Sequence, residues 1–170
     1  MKPLSYYSDK NLIVSTVSFW KRIYELKFEQ EVLEKLHFPK KFSSSAIVEG
    51  YNGKWEIKRD SVWNRNISVY KPGYHLPFAN YTGSFWGNKG RLKLPRGKYL
   101  DFQFGIFRKG CKAFTTRNTL LLEFNNKISI SDKSEIRIAA KSEVLDENPW
   151  ILMLTWYIIL QNKKQAAHAG

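Results

Sequence analysis

The chain has 170 residues, 15% of them aromatic, and one cysteine, Cys111. The length suits one domain, the aromatic content excludes a disordered chain, and a lone cysteine excludes an intrachain disulfide. The net charge of +13 is uneven: from Lys54 to Arg117, 14 Lys and Arg face three acids, Glu56, Asp60 and Asp101, which points to an anionic partner or to a solvated basic face.

In chain order, the N-terminal "MKPLSYYSDKNLIVSTV" is no secretory signal, because Asp9 and Lys10 interrupt any apolar stretch and no small-residue cleavage site follows. A cytoplasmic location is expected, with the sequons Asn66-Ile-Ser68 and Asn80-Tyr-Thr82 as chance matches. The segment "RIYELKFEQEVLEKLHF" fits either an amphipathic helix over Leu26, Val32, Leu33 and Leu36 or two strands meeting at Glu29-Gln30. Strands are favoured, because the flanking pattern is β.

From Lys54 onward, period two dominates. "KWEIKR" alternates Trp55 and Ile57 with charge, "NISVY" puts Ile67 and Val69 on one face, and "RLKL" sets Leu92 and Leu94 against Arg91 and Lys93. "KYLDFQF", "KISIS" and "EIRIA" repeat it with Leu100, Phe102, Phe104, Ile128, Ile130, Ile136 and Ile138. Such alternation marks strands with one wet and one dry face. Asn52-Gly53 predicts a two-residue hairpin turn, and tight connections are expected around Gly87 and Gly90, at Gly110, and at Asn125-Asn126. Turns recurring about every ten residues suit an all-β sandwich or barrel.

The run "NPWILMLTWYIILQNKK" predicts a helix over about residues 148–164, with Asn148 as N-cap and Pro149 in the first position. Asp146 and Glu147 would sit at its negative-preferring end, and Lys163 and Lys164 at the other. Its apolar stretch, Trp150 to Leu160, is about 17 Å long, too short for a bilayer core. Being apolar all round, it belongs inside the protein rather than on a membrane. No integral membrane span is therefore expected. Residues 165–170 read as a disordered tail after a single domain of residues 1–164.

Many short strands and one fully apolar helix predict a mainly β (β+α) fold: a closed or nearly closed antiparallel barrel of about 12 strands around a C-terminal helix. The cadence of "RIYELKFEQEVLEKLHFPKKFSSSAIVEGYNGKWEIKR", then "SVWNRNISVY", then "NPWILMLTWYIILQNKK", resembles the tubby C-terminal-like superfamily, which includes the plant LURP-one-related and phospholipid scramblase proteins. The resemblance covers nearly the whole chain and implies a roughly twelve-stranded barrel around a hydrophobic C-terminal helix. It rests on hydropathy rather than on catalytic signatures. No segment matches a tubby lipid-binding motif residue by residue, so no binding residue is carried over.

The constellations of common enzymes are missing: no G-x-x-x-x-G-K-[ST], no H-E-x-x-H and no G-x-S-x-G. With one cysteine and scattered His37, His75 and His168, no catalytic residue, metal site or cofactor is expected. The expectation is a non-enzymatic module for an anionic ligand, foremost phospholipid or phosphoinositide headgroups, peripheral at a membrane. Nucleic acid is the alternative, and a structural or protein-interaction module the third reading. The candidate anion-binding residues are Lys89, Arg91, Lys93, Arg96 and Lys98, where Gly90 and Gly97 would let backbone amides approach a phosphate. Lys58 and Arg59, and Arg108, Lys109 and Lys112, would join if their strands are neighbours. Phe85 and Trp86, in an expected loop, either insert at an interface, stack on bases or pack on the barrel.

Overall fold

In the computed structural model, which describes residues 1–105, 110–126 and 132–168, the alternating segments become one closed barrel of antiparallel strands. The strands are β1 Asn11–Ser18, β2 Ile23–Phe28, β3 Glu31–His37, β4 Ala46–Gly50, β5 Gly53–Arg59 and β6 Ile67–Tyr70. They continue with β7 Ala79–Gly83, β8 Lys89–Lys93, β9 Tyr99–Phe104, β10 Gly110–Thr115, β11 Leu120–Asn126 and β12 Lys133–Ile138. Each pairs with its sequence neighbours, and β1 closes on β12. The expected alternation at Ile128 and Ile130 lies outside the described residues.

The register keeps one apolar row inside. Leu36 faces Val48, Val48 faces Trp55, Ile57 faces Val69, and Leu92 faces Leu100. The ambiguous segment is two strands, β2 and β3, turning at Glu29, which adopts φ 54°. Outside, charges alternate across strands. Lys54, Glu49, Lys35 and Glu25 lie in successive cross-strand positions, with ion pairs of 2.9 Å (Lys54–Glu49) and 3.2 Å (Lys35–Glu25).

That charge pattern also sets the β4–β5 turn, one residue earlier than expected. The central turn residues are Tyr51 (φ 50°) and Asn52 (φ 56°), and Gly53 pairs with Gly50. This register places Glu49 opposite Lys54. A turn at Asn52-Gly53 would keep the same residues inside but place Glu49 opposite Glu56, and like charges directly opposed are unfavourable.

After β12 come two helices, α1 Glu143–Glu147 and α2 Ile151–His168. The expected N-cap is instead the end of α1: the Asn148 amide donates to Val144 O (3.0 Å), and its N–H donates to Leu145 O (3.2 Å). The cause is Pro149, which pushes the preceding residue out of the α region; Asn148 sits at φ −132°, ψ 60°. Asp146 therefore does not serve the α2 dipole. Its carboxylate accepts the Ser5 N–H at 2.7 Å and ties down a 3-10 turn, Leu4–Tyr7. At the other end α2 continues through His168, so the segment expected to be disordered from Gln165 is helical as far as it is described.

From Ile151 to Ile159 every α2 residue is buried. Trp156 packs edge-on against Tyr24 of β2, and Tyr157 stacks on Phe38 at 5.9 Å. The one polar residue in this run, Thr155, donates its hydroxyl to Ile151 O at 2.7 Å. The helix is thus the hydrophobic filling of the barrel.

One interior group breaks the apolar rule. Glu34 shares the inward face of β3 with Leu36, is 1% exposed, and both its oxygens lack a hydrogen-bond partner, as do the nearby buried Tyr51 and Tyr7 hydroxyls. Desolvation pushes its carboxyl well above the usual range. A folded-state value above the unfolded one gives stability that is present at low pH and is lost as pH rises above about 4.5. Glu34→Gln, which does not titrate, should therefore melt higher than wild type at neutral pH. The gap should widen as pH rises from about 5 towards neutral, by up to ~1.4 kcal/mol per pH unit. Thermal melts followed by circular dichroism across that range check this; a constant gap would contradict it.

Candidate functional site

The sequence-predicted cations are on the outer wall, but they do not form one free basic face. Lys89, Arg91 and Lys93 of β8 point outward, as alternation requires. Arg91 is held by a two-pronged pair with Asp101 on β9 (2.6 and 3.0 Å), Lys98 reaches Glu147 (3.2 Å), and Lys112 reaches Glu123 (3.3 Å). Lys58 pairs with Glu56 (3.0 Å), and Arg59 is spent on the carbonyls of Val62 and Asn64 at 2.7–3.0 Å. Only Lys89, Lys93 and Arg96 of the described candidates have no such partner. Arg108 and Lys109 lie outside the described residues.

Nor are the strands neighbours. β6 and β7 separate β5 from β8, so Lys58 and Lys93 end one cross-strand row with Ser68 and Asn80 between them, about 14 Å apart. Lys112 is two strands from Lys89, across Gln103. The two glycines also differ. Gly90 is in β8, not in a turn, and a Cβ there would meet the Tyr81 hydroxyl at 2.1 Å; it exists to seat that ring and cannot receive a phosphate. Gly97 sits at φ 70° in the open β8–β9 turn.

The barrel ends are unlike. Antiparallel order puts every second loop at the same end, so the β1–β2, β3–β4, β5–β6 and β7–β8 loops share one rim, where the C-terminal turns of α2 emerge. Among the described residues, all six exposed Phe and Trp are on these loops: Phe19, Trp20, Phe42, Trp63, Phe85 and Trp86. Trp63 is 94% exposed and Trp20 and Trp86 are 83% and 82%, although core-sized aromatic rings are normally covered. The same four loops carry Lys21, Arg22, Lys40, Lys41 and Arg65 against one acid, Asp60. Phe85 and Trp86 thus belong to a crown of aromatic and cationic residues rather than to the β8 cations.

The loops turn their polar groups inward and leave the rings out. In the β7–β8 loop, Gly87 N–H donates to Ser84 O (2.9 Å). Arg65 donates to Phe85 O (3.1 Å) and to Asn162 Oδ1 (2.6 Å), and the Asn162 amide donates to Gly87 O (3.3 Å). Gly87, at φ 70°, leaves the room this needs, since a Cβ there would meet the Arg65 guanidinium at 2.6 Å. In the β1–β2 loop Arg22, at φ 50°, stacks on Phe38 (3.6 Å) and donates to Ser43 O (3.1 Å), joining that loop to the β3–β4 loop. Tyr157 of α2 donates its hydroxyl to Ser44 O. Lys163 meets Asp132 at 3.0 Å, so the core helix braces the crown from beneath.

Sequence reading missed the crown because it counted cations along a strand. The signal was present: "FWKR", "PKKF", "VWNR" and "SFWGN" fall in alternate turns of a meander, and alternate turns meet at one end.

Among the described residues, no group of three or more His, Cys, Asp or Glu is placed to hold a metal ion. Cys111 faces the core of β10, where burial pushes its thiol well up, away from the reactive thiolate. No described helix is long and apolar enough to cross a membrane.

No protein-family model matches the chain, and no curated protein matches it in sequence. In structure it is similar to a protein from Arabidopsis thaliana known from an X-ray structure. The TM-score is 0.62 at 10% identity, over 94% of this chain and 96% of that one. At that identity the likeness shows the fold alone, a closed antiparallel barrel with a C-terminal helix.

Proposed function

We propose that this chain is a non-enzymatic module that docks peripherally on an anionic lipid surface, crown first. The observation that carries the reading is the confinement of all six exposed Phe and Trp among the described residues to one rim, interleaved with cations. Tryptophan rings favour the headgroup level of a bilayer, and each nearby cation adds about 1 kcal/mol at an anionic surface. The outer wall carries paired charges and the interior is apolar, the reverse of a barrel that faces lipid with its strands. The tubby-like resemblance and a cytoplasmic location form part of the same proposal.

Co-sedimentation with phosphatidylserine-containing vesicles tests it. Binding should exceed that to phosphatidylcholine by at least about tenfold and weaken with salt. Lys93→Glu with Arg96→Glu, at the end of β8 and in the β8–β9 turn away from the crown, should change it by less than about threefold, since each surface charge acts only over roughly a Debye length. No binding at low salt would sink the proposal. Nucleic acid is the second reading, because exposed rings also stack on bases. Filter binding of single-stranded DNA and RNA tighter than any vesicle binding would favour it instead.

A further inference from the structure

One sector of the crown is concave as well as aromatic. Between the β1–β2 and β3–β4 loops lies a recess of about 390 Å³, walled by Trp20 and Phe38 and lined by Lys21, Arg22, His37 and Lys41. Its lining holds four basic side chains and no acid. His37 ends β3 opposite Ile23, so its imidazole opens outward beside the turn. Arg22 is fixed by its stack on Phe38 and its bonds to the carbonyls of Ser43 (3.1 Å) and Lys41 (3.4 Å). Among the described residues, neither Lys21, Arg22 nor Lys41 has a carboxylate partner, in contrast to the wall cations Arg91, Lys98 and Lys112. Positive charge is therefore held in a preformed hollow of a size that takes a small ligand.

We infer that this recess binds the terminal phosphate of a phosphomonoester lipid headgroup, an inference that rests on the lipid-docking reading. A phosphomonoester carries close to two negative charges at neutral pH and three acceptor oxygens, whereas a phosphodiester carries one charge. Lys21, Lys41 and His37 line the same recess and would supply the donors to such a group, with the Arg22 charge beside them. Trp20 stands at the mouth, where its ring meets the headgroup level while the phosphate lies below.

The test compares vesicles of phosphatidic acid and phosphatidylglycerol, each diluted in phosphatidylcholine to the same measured zeta potential. Wild type should prefer phosphatidic acid by about tenfold, as one or two charge-assisted hydrogen bonds imply. Lys21→Gln with Lys41→Gln should lower phosphatidylglycerol binding by up to about thirtyfold, as the loss of two crown cations implies, and phosphatidic acid binding by about tenfold more, so that the preference is abolished, with the fold checked by near-UV circular dichroism. Glycerol 3-phosphate should shift the His37 imidazole resonances only in wild type. Equal binding to the two lipids, or a preference the double variant keeps, would overturn the phosphate site and leave crown docking standing. Binding to neither lipid would overturn both. Glycerol 3-phosphate binding without any vesicle binding would assign the recess to a free phosphomonoester and reject the lipid source.

Discussion

Leu154→Asp is expected to leave no folded protein. Leu154 is 0% exposed in the middle of α2, within a helix buried on every side from Ile151 to Ile159. Removing its side chain costs roughly 2–5 kcal/mol from lost burial and the cavity left behind. An aspartate adds several kcal/mol for an unpaired buried charge. Among the described residues, no basic side chain is buried to meet that charge. The sum, about 5–10 kcal/mol, is comparable to the 5–15 kcal/mol by which domains are typically stable. Circular dichroism and expression of soluble protein check it. A cooperative melt from a Leu154→Asp variant would mean that α2 is not the core of the barrel.

The second large effect falls on binding. Replacing Trp20, Trp63 and Trp86 together by Ser should reduce affinity for phosphatidylserine vesicles by at least about a hundredfold. A Trp ring carries about 200 Å² of surface, so a half-inserted ring contributes on the order of 2 kcal/mol, and every 1.4 kcal/mol is tenfold. Three rings on three loops need not add fully, which makes a hundredfold a lower bound. Stability should barely move, because none of the three is packed in the core. The same loss of affinity with a lowered melting temperature would point to collapse of the rim rather than loss of insertion. A smaller positioning effect is expected for Arg65→Ala, which frees the carbonyl of Phe85. It should weaken binding by about three- to tenfold without touching the insertable rings.

The strand faces were legible in the sequence because alternation depends only on neighbours in the chain. Leu92 and Leu94 turn in and Arg91 and Lys93 turn out, as "RLKL" implies. The core helix was legible for the same local reason, since no face of it is polar. Its start was not: a Ser142-led turn competes for Asn148, and only the break imposed by Pro149 separates α1 from α2. The hairpin at Tyr51-Asn52 was displaced by one residue through a cross-strand charge pairing, Glu49 with Lys54, that no local turn rule contains.

The basic cluster shows the larger gap between chain and fold. Five cations lie within ten residues from Lys89 to Lys98, yet the acids that answer them come from the next strand, at Asp101, and from a distant helix, at Glu147. Counting charge along the chain overstates the field wherever strands bring counter-charges alongside. The crown erred in the opposite direction. Its residues are spread from Phe19 to Trp86 and become one surface only when closure of the barrel brings four alternate loops to one rim.

The chain has its own probes for the central claim. Three of its six tryptophans, Trp20, Trp63 and Trp86, are on the crown, and Trp55, Trp150 and Trp156 are buried in the barrel. Quenching of tryptophan emission by phosphatidylserine vesicles with brominated acyl chains reports which rings reach the bilayer. The crown-first account predicts that the red-shifted emission of the exposed set is quenched and moves to the blue, and that the triple Trp→Ser variant, keeping only the buried set, shows neither change. Binding to those vesicles with the exposed set unquenched would contradict it.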